Sequence, residues 1–151
     1  MIKTGDVFSI KTKCGLAYFQ YTKKVAPMGT LIRVLPGIYH AEPSDLPALI
    51  GQATNFWIFF PVAAALKQKI VQKVMNTPVP EHSRQTPVFR AGVVDPSTGK
   101  VGTWWLWDGE REWKIGGLTD EQRKLPIRGA WNDTMLVERI EAGWLPEKDD
   151  R

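Results

Sequence analysis

The side chains able to do chemistry are few and far apart. His40 and His82 are the only histidines, and a single cysteine, Cys14, precedes Gly15. Metal centres draw on such residues at short repeating spacings, His-x-x-x-His or Cys-x-x-Cys, and neither pattern occurs. One cysteine excludes an intrachain disulfide. A thiolate–imidazole pair is the remaining nucleophilic arrangement, but Cys14 sits in a turn without a matching signature and reads as a free thiol. The chain has no Gly-x-Ser-x-Gly elbow, no P-loop and no Gly-x-Gly-x-x-Gly loop. Asp108, Glu110 and Glu112 cluster, and paired carboxylates can divide acid and base roles. Arg111 and Lys114 alternate with them, however, and a strand of mixed charge neutralises its acids at the surface. The sequence therefore predicts no catalytic residue, no bound metal and no cofactor.

Tryptophan is the abnormal quantity. Seven positions carry it: 57, 104, 105, 107, 113, 131 and 144. Indoles fill cores and also dominate binding hot spots, so their place on a strand has to separate the two roles. Trp107-Asp108-Gly109-Glu110 holds an Asp-Gly pair, the favoured centre of a two-residue type I′ hairpin turn. That turn pairs Trp107 with Glu110, Trp105 with Glu112 and Trp104 with Trp113. Side chains alternate between faces, so Trp104, Leu106, Trp113 and Ile115 share an apolar side expected to be core. A four-residue loop would leave this division of faces intact, whereas a three-residue loop would swap the partner strand's faces. The other side carries Trp105 and Trp107 beside Glu110, Glu112 and Lys114. Two readings of those indoles stay open: burial under another layer, or an exposed aromatic patch that binds a partner through Trp105, Trp107, Glu110, Glu112 and Lys114.

The elements that position this hairpin follow from pattern. Val7–Ile10, Leu16–Tyr21 and Thr30–Leu35 are β-branched and aromatic runs of strand length. Asn55–Phe60 is apolar on both faces and reads as the central strand of the sheet. Ser44-Asp45-Leu46 can cap a short helix that Gly51 stops. Residues 62–75 fit a helix or a strand, and the expectation is a helix near Ala63–Gln68 followed by a strand. Val88–Val94 and Val101–Trp107 flank a turn-rich hairpin connection. Thr119 and Gln122 form a capping box. A last helix begins at Asn132 or Asp133 and lines up Leu136, Ile140 and Trp144, with Gly143 past its end. The fold class is mainly β (α+β): a bent antiparallel sheet or an SH3-like barrel core, with short helices including a C-terminal one.

The 151 residues fit a single domain, 1–151, in which a Pro-rich connection at 76–87 separates two subdomains. Net charge is +4, and residues 1–75 hold nine Lys/Arg against three Asp/Glu, residues 76–151 eleven against thirteen. The basic residues are scattered rather than run together, which favours a solvated surface over a nucleic-acid footprint. No apolar run reaches the length of a membrane span and the first residues are not a signal peptide, so a cytoplasmic location is expected.

Several segments carry a likeness: Gly5-Asp6-Val7-Phe8-Ser9-Ile10, Ala17-Tyr18-Phe19-Gln20-Tyr21, Phe56–Val62, Trp113-Lys114-Ile115-Gly116-Gly117-Leu118, Leu125-Pro126 and Glu138-Arg139-Ile140-Glu141-Ala142-Gly143-Trp144. Together they resemble the Immunity protein 26 family of bacterial polymorphic-toxin systems. The resemblance implies a cytosolic, non-catalytic, β-rich protein that binds and neutralises a co-encoded toxin, without a cofactor, and it hands over no defined site residues. The alternative, read from charge and strand pattern, is a small SH3-like β-barrel module that binds nucleic acid through its basic N-terminal half. Oligomeric state has no signature in the sequence.

Overall fold

Strand-forming runs and turn glycines alternate through the first third of the chain, and the strands pair in the order they are made. The computed structural model describes all 151 residues. β1 (Asp6–Thr12), β2 (Gly15–Val25) and β3 (Gly29–Val34) form a meander, joined by β4 (Phe56–Phe59) and β5 (Val71–Asn76) into one antiparallel sheet of order β4-β3-β2-β1-β5. Gly15 makes the first tight turn possible. Its φ is +132°, and a Cβ there would lie 2.4 Å from the Tyr39 carbonyl oxygen.

The chain divides into two compact units. Residues 1–85 and 129–143 build the first, and residues 86–128 and 144–151 the second. The sheet of the first unit is covered on both faces, since Val7 and Phe8, neighbours that point oppositely, are both fully buried. Val7, Tyr18 and Leu35 pack with Leu46, Leu49 and Ile50 of α1 (Leu46–Gly51). Phe8 stacks on Phe19 with centroids 5.4 Å apart, and Phe19 meets Phe60 edge-on at 5.6 Å. Asp45 caps α1 by accepting from the Ala48 N–H at 3.1 Å. α2 (Val62–Lys67) is followed directly by β5, the helix-then-strand order expected for 62–75.

β4 is not the central strand its sequence suggested. It lies at the sheet edge, and its apolarity has another cause: residues 129–131 run beside it. The Phe59 N–H donates to Gly129 O at 3.2 Å and the Trp131 N–H to Phe59 O at 3.0 Å, a short parallel bridge. Phe56 then packs on Trp131 at 5.8 Å. With β4 and β5 at opposite edges, the sheet is open and no closed barrel forms.

α3 (Asp133–Glu141) starts where Asn132 accepts from the Met135 N–H at 2.8 Å, and Gly143 follows its end with φ +65°. Leu136 is fully buried and Ile140 partly so; the helix packs along β1, and Glu141 accepts from the Lys13 N–H at 2.6 Å. Trp144 departs from the expected stripe. The helix stops before it, and its buried indole donates to Asp149 Oδ2 at 3.3 Å in the second unit.

A buried cation ties the first unit together. Arg33 on β3 is 0% exposed and has no acid beside it. Its guanidinium donates to Gln20 Oε1 (2.8 Å), Thr54 Oγ1 (2.8 Å), Ile50 O (3.1 Å) and Gln52 O (2.7 Å). Gln20 passes the chain of bonds to Gly5 O and Thr77 O. Thr54 passes it to Ser83 Oγ at 2.7 Å.

Asp6 is the corresponding buried acid. Burial alone would raise its pKa, but hydrogen bonds from Asn76 Nδ2 (2.8 Å) and the Lys3 N–H (2.8 Å), with Lys73 Nζ at 3.1 Å, together hold it below the ordinary 3.8. A carboxyl depressed on folding contributes stability that is present above its unfolded pKa and lost as pH falls through the lower folded value. Acid titrations of unfolding should therefore lose stability below pH 3.8, and Asp6→Asn should flatten that loss while lowering stability at neutral pH. Separately, Leu136→Ala should cost about 2–5 kcal/mol in urea unfolding.

The second unit is built on β6 (Phe89–Ala91), β9 (Trp104–Trp107) and β10 (Glu112–Gly116), with β9 in the middle. β7 (Val94–Asp95) and β8 (Lys100–Val101) extend the β6–β9 hairpin, closed where Asp95 Oδ1 accepts from Ser97 N and Oγ. Residues 126–128 bond β6 along its other edge: the Arg90 N–H donates to Pro126 O and the Arg128 N–H to Arg90 O. The Thr119–Gln122 box closes reciprocally, at 2.9 and 3.2 Å, ahead of a single 3₁₀ turn at Gln122–Lys124.

Candidate functional site

The β9–β10 hairpin is set by the Asp108 carboxylate. Asp108 Oδ1 accepts from the N–H groups of Glu110 (2.9 Å) and Arg111 (2.8 Å), and the Asp108 N–H donates to Arg111 O. Those backbone donors, Arg111 first, hold the carboxyl below its ordinary value. The result is a four-residue loop, not the two-residue turn that Asp-Gly favours: an Asx bond to two successive amides draws both into the loop. Trp107 therefore pairs with Glu112, Leu106 with Trp113 and Trp105 with Lys114, two residues away from the register expected of a tight turn.

The faces survive this shift, because moving by two preserves alternation. Trp105, Trp107, Glu112 and Lys114 share one side with Phe89 and Ala91. Arg90, Leu106 and Trp113 form a row across the other. What the faces meet differs from expectation. Trp107 is buried, 5% exposed, with Phe89 on it at 5.4 Å and the Arg128 guanidinium 5.3 Å over its ring. Arg128 also bonds Glu112 Oε2 at 2.6 Å. Trp105 is half-buried, while Glu110 and Lys114 are exposed and Lys114 makes no ion pair. Trp107 is thus core, and the paired exposed indoles of the patch reading do not form.

Trp113, expected in the core, is the exposed indole at 40%. Its row is covered only toward β6. Arg90 lies 4.8 Å over the Trp104 ring and donates to the Pro146 carbonyl, so the last residues cap that end. β10 is the last strand of its sheet, with no strand on its outer side. An exposed aromatic between a free lysine and a singly paired glutamate, on an unpaired edge, is the feature of the hairpin best suited to recognition. Sequence reasoning missed it because Arg128, sixteen residues from Glu112, supplies the cover for Trp107, and no local pattern announces that contact.

Of the remaining reactive side chains, His82 has structural partners. His82 Nδ1 lies 2.8 Å from Ser83 Oγ and its Nε2 3.0 Å from Gly51 O. Ser83 is buried at the end of the Arg33 chain of hydrogen bonds. His40 and Cys14 are exposed. No group of three or more His, Cys, Asp or Glu side chains comes together to hold a metal ion, and no helix is long and apolar enough to cross a membrane. A groove of about 490 Å³ between the β1–β2 turn and α3 mixes Lys11 and Lys13 with Asp133, Glu138 and Glu141.

Charge is distributed by unit, not by sequence half. The first unit carries eleven Lys/Arg and seven Asp/Glu, because α3 brings its acids there, and the second carries nine of each. Arg33 contributes nothing to the basic surface, and Lys73 is tied to Asp6. Comparison of the chain with protein-family models, with curated proteins and with solved structures finds no match.

The two indoles separate by stability. Trp107→Ala should cost about 3–5 kcal/mol, as for a buried aromatic cut to Ala. Trp113→Ala should change stability by about 1 kcal/mol or less. Chemical unfolding of both variants checks the assignment of core and surface.

Proposed function

We propose that this chain is an immunity protein: it binds a co-encoded bacterial toxin in the cytoplasm and holds it inactive by covering its surface. The partner class comes from the resemblance to the Immunity protein 26 family. The observation that carries a binding role is Trp113, an indole presented on the outer strand of a sheet whose other tryptophans on β9 are buried or half-buried. Trp113 is the anchor on one face of the edge strand; Glu112 and Lys114 on its other face, with Trp105 of β9 beside them and Glu110 in the loop, add the polar contacts. Trp107, buried under Arg128, holds the strand in place instead of touching the partner. Electrostatic pairing at such contacts sets specificity and encounter rate, while the desolvated indole supplies most of the affinity.

The test is calorimetric titration with the toxin domain encoded beside this chain. Binding is expected, and Trp113→Ala should weaken it by about thirtyfold or more, the scale of a hot-spot residue. An absence of binding, or an affinity that Trp113→Ala leaves unchanged in a folded variant, overturns the reading. Binding to random duplex DNA that falls steeply with added salt would favour the nucleic-acid alternative.

A further inference from the structure

The outer edge of β10 has a property that does not depend on any toxin. Its sequence is Glu112-Trp113-Lys114, an acid, an aromatic and a base in successive positions. Read in the opposite direction it is the complement of itself. Two such strands laid antiparallel about a two-fold axis at Trp113 place Glu112 opposite Lys114 of the second copy, Trp113 opposite Trp113, and Lys114 opposite Glu112. Directly opposed residues share a face. Both Glu–Lys pairs therefore fall on the side that carries Trp105, and the two indoles meet on the other. We infer that this chain self-associates in solution through β10, joining two three-stranded sheets into one.

Several observations lead to that occupant. β10 is bonded to β9 alone, so its outward backbone N–H and C=O groups are open to a further strand. Glu112, Trp113 and Lys114 are all exposed. An edge lysine ordinarily repels strand addition, because it brings an unpaired charge to the new contact. Here the incoming copy supplies the acid. Lys114 has no ion-pair partner within its own chain, and Glu112 has one oxygen on Arg128 and a second to offer. The interface is isologous, the same patch on both copies, as a two-fold pair requires. It is also short. The ladder shifts between Lys114 and Gly116, which confines regular pairing to about three residues of each copy, Glu112 to Lys114. So small a contact lies well below the ~1,200–2,000 Å² of stable interfaces, which makes the dimer weak and concentration-dependent.

The inference deepens the reading of β10 as a binding edge, and it is tested on the chain alone, so that its failure is separate from the outcome of the toxin titration. Sedimentation velocity across a concentration series up to about 0.5 mM, the range where a contact worth only a few kcal/mol is populated, should show a shift from 17.1 kDa toward twice that mass. Added salt should weaken the association. Lys114→Glu opposes like charges at both ends of the axis and should leave a monomer, whereas Lys114→Arg should keep the dimer. Glu112→Lys should also be monomeric alone. An equimolar mixture of Glu112→Lys with Lys114→Glu should pair again, since each lysine then faces a glutamate. If Glu112→Lys fails to fold without its Arg128 contact, Trp113→Ala takes its place as the second dissociating variant. A wild-type chain that stays monomeric throughout overturns the inference, as does a dimer whose constant Lys114→Glu leaves unchanged.

Discussion

Arg33 is a charge buried without a counter-charge, and the first unit is arranged around that fact. An unpaired guanidinium in the core would cost several kcal/mol in desolvation. The chain answers with neutral acceptors: an amide, a hydroxyl and the two carbonyls at the end of α1. The free carbonyls of a helix C-terminus carry partial negative charge, so Ile50 and Gln52 do part of the work of a carboxylate. Burial still pushes the arginine pKa down to about 10, which leaves it protonated at neutral pH. Through Gln20 and Thr54 the same guanidinium fixes the turn at Gly5, the start of the Pro-rich connection at Thr77, and its 3₁₀ turn at Ser83. A twelve-residue proline-bearing stretch with few backbone donors of its own is held by bonds that begin at one side chain on β3.

Much of this architecture is visible in the sequence, where local rules apply. The caps at Asp45 and Asn132, the Thr119–Gln122 box, the helix-then-strand order of 62–75 and the first three strands are set by residues within a few positions of each other. Apart from the hairpin loop that the Asp108 carboxylate lengthens, the failures are non-local. Phe56–Phe59 is apolar on both faces for the same reason a central strand would be, yet its second cover arrives from Gly129–Trp131. Nothing in either segment names the other.

The candidate site divides the same way. Alternation correctly sorted Trp105, Trp107, Glu112 and Lys114 onto one face, because a two-residue register shift does not change parity. It could not say which face would be covered at which strand. Arg128 over Trp107 and Pro146 over Arg90 are decisions of tertiary structure: Trp107, left open between burial and exposure, is buried, while Trp113, expected in the core, is exposed. Composition misled in a related manner. The acids of α3 belong to the first unit, so the acidic half of the sequence does not correspond to an acidic body.

The interleaving of the two units bears on how the protein can be made. Residues 129–143 lie late in the chain, yet they close the edge of β4 and cover β1. A ribosome that has released residue 85 has delivered five strands and two helices, but β4 is still an open edge beside buried-type aromatics. The first unit must therefore wait, uncompleted, through the whole synthesis of residues 86–128. For the same reason a fragment cut within the Pro-rich connection is not a smaller domain. It is a sheet missing a side, and such open apolar edges invite aggregation.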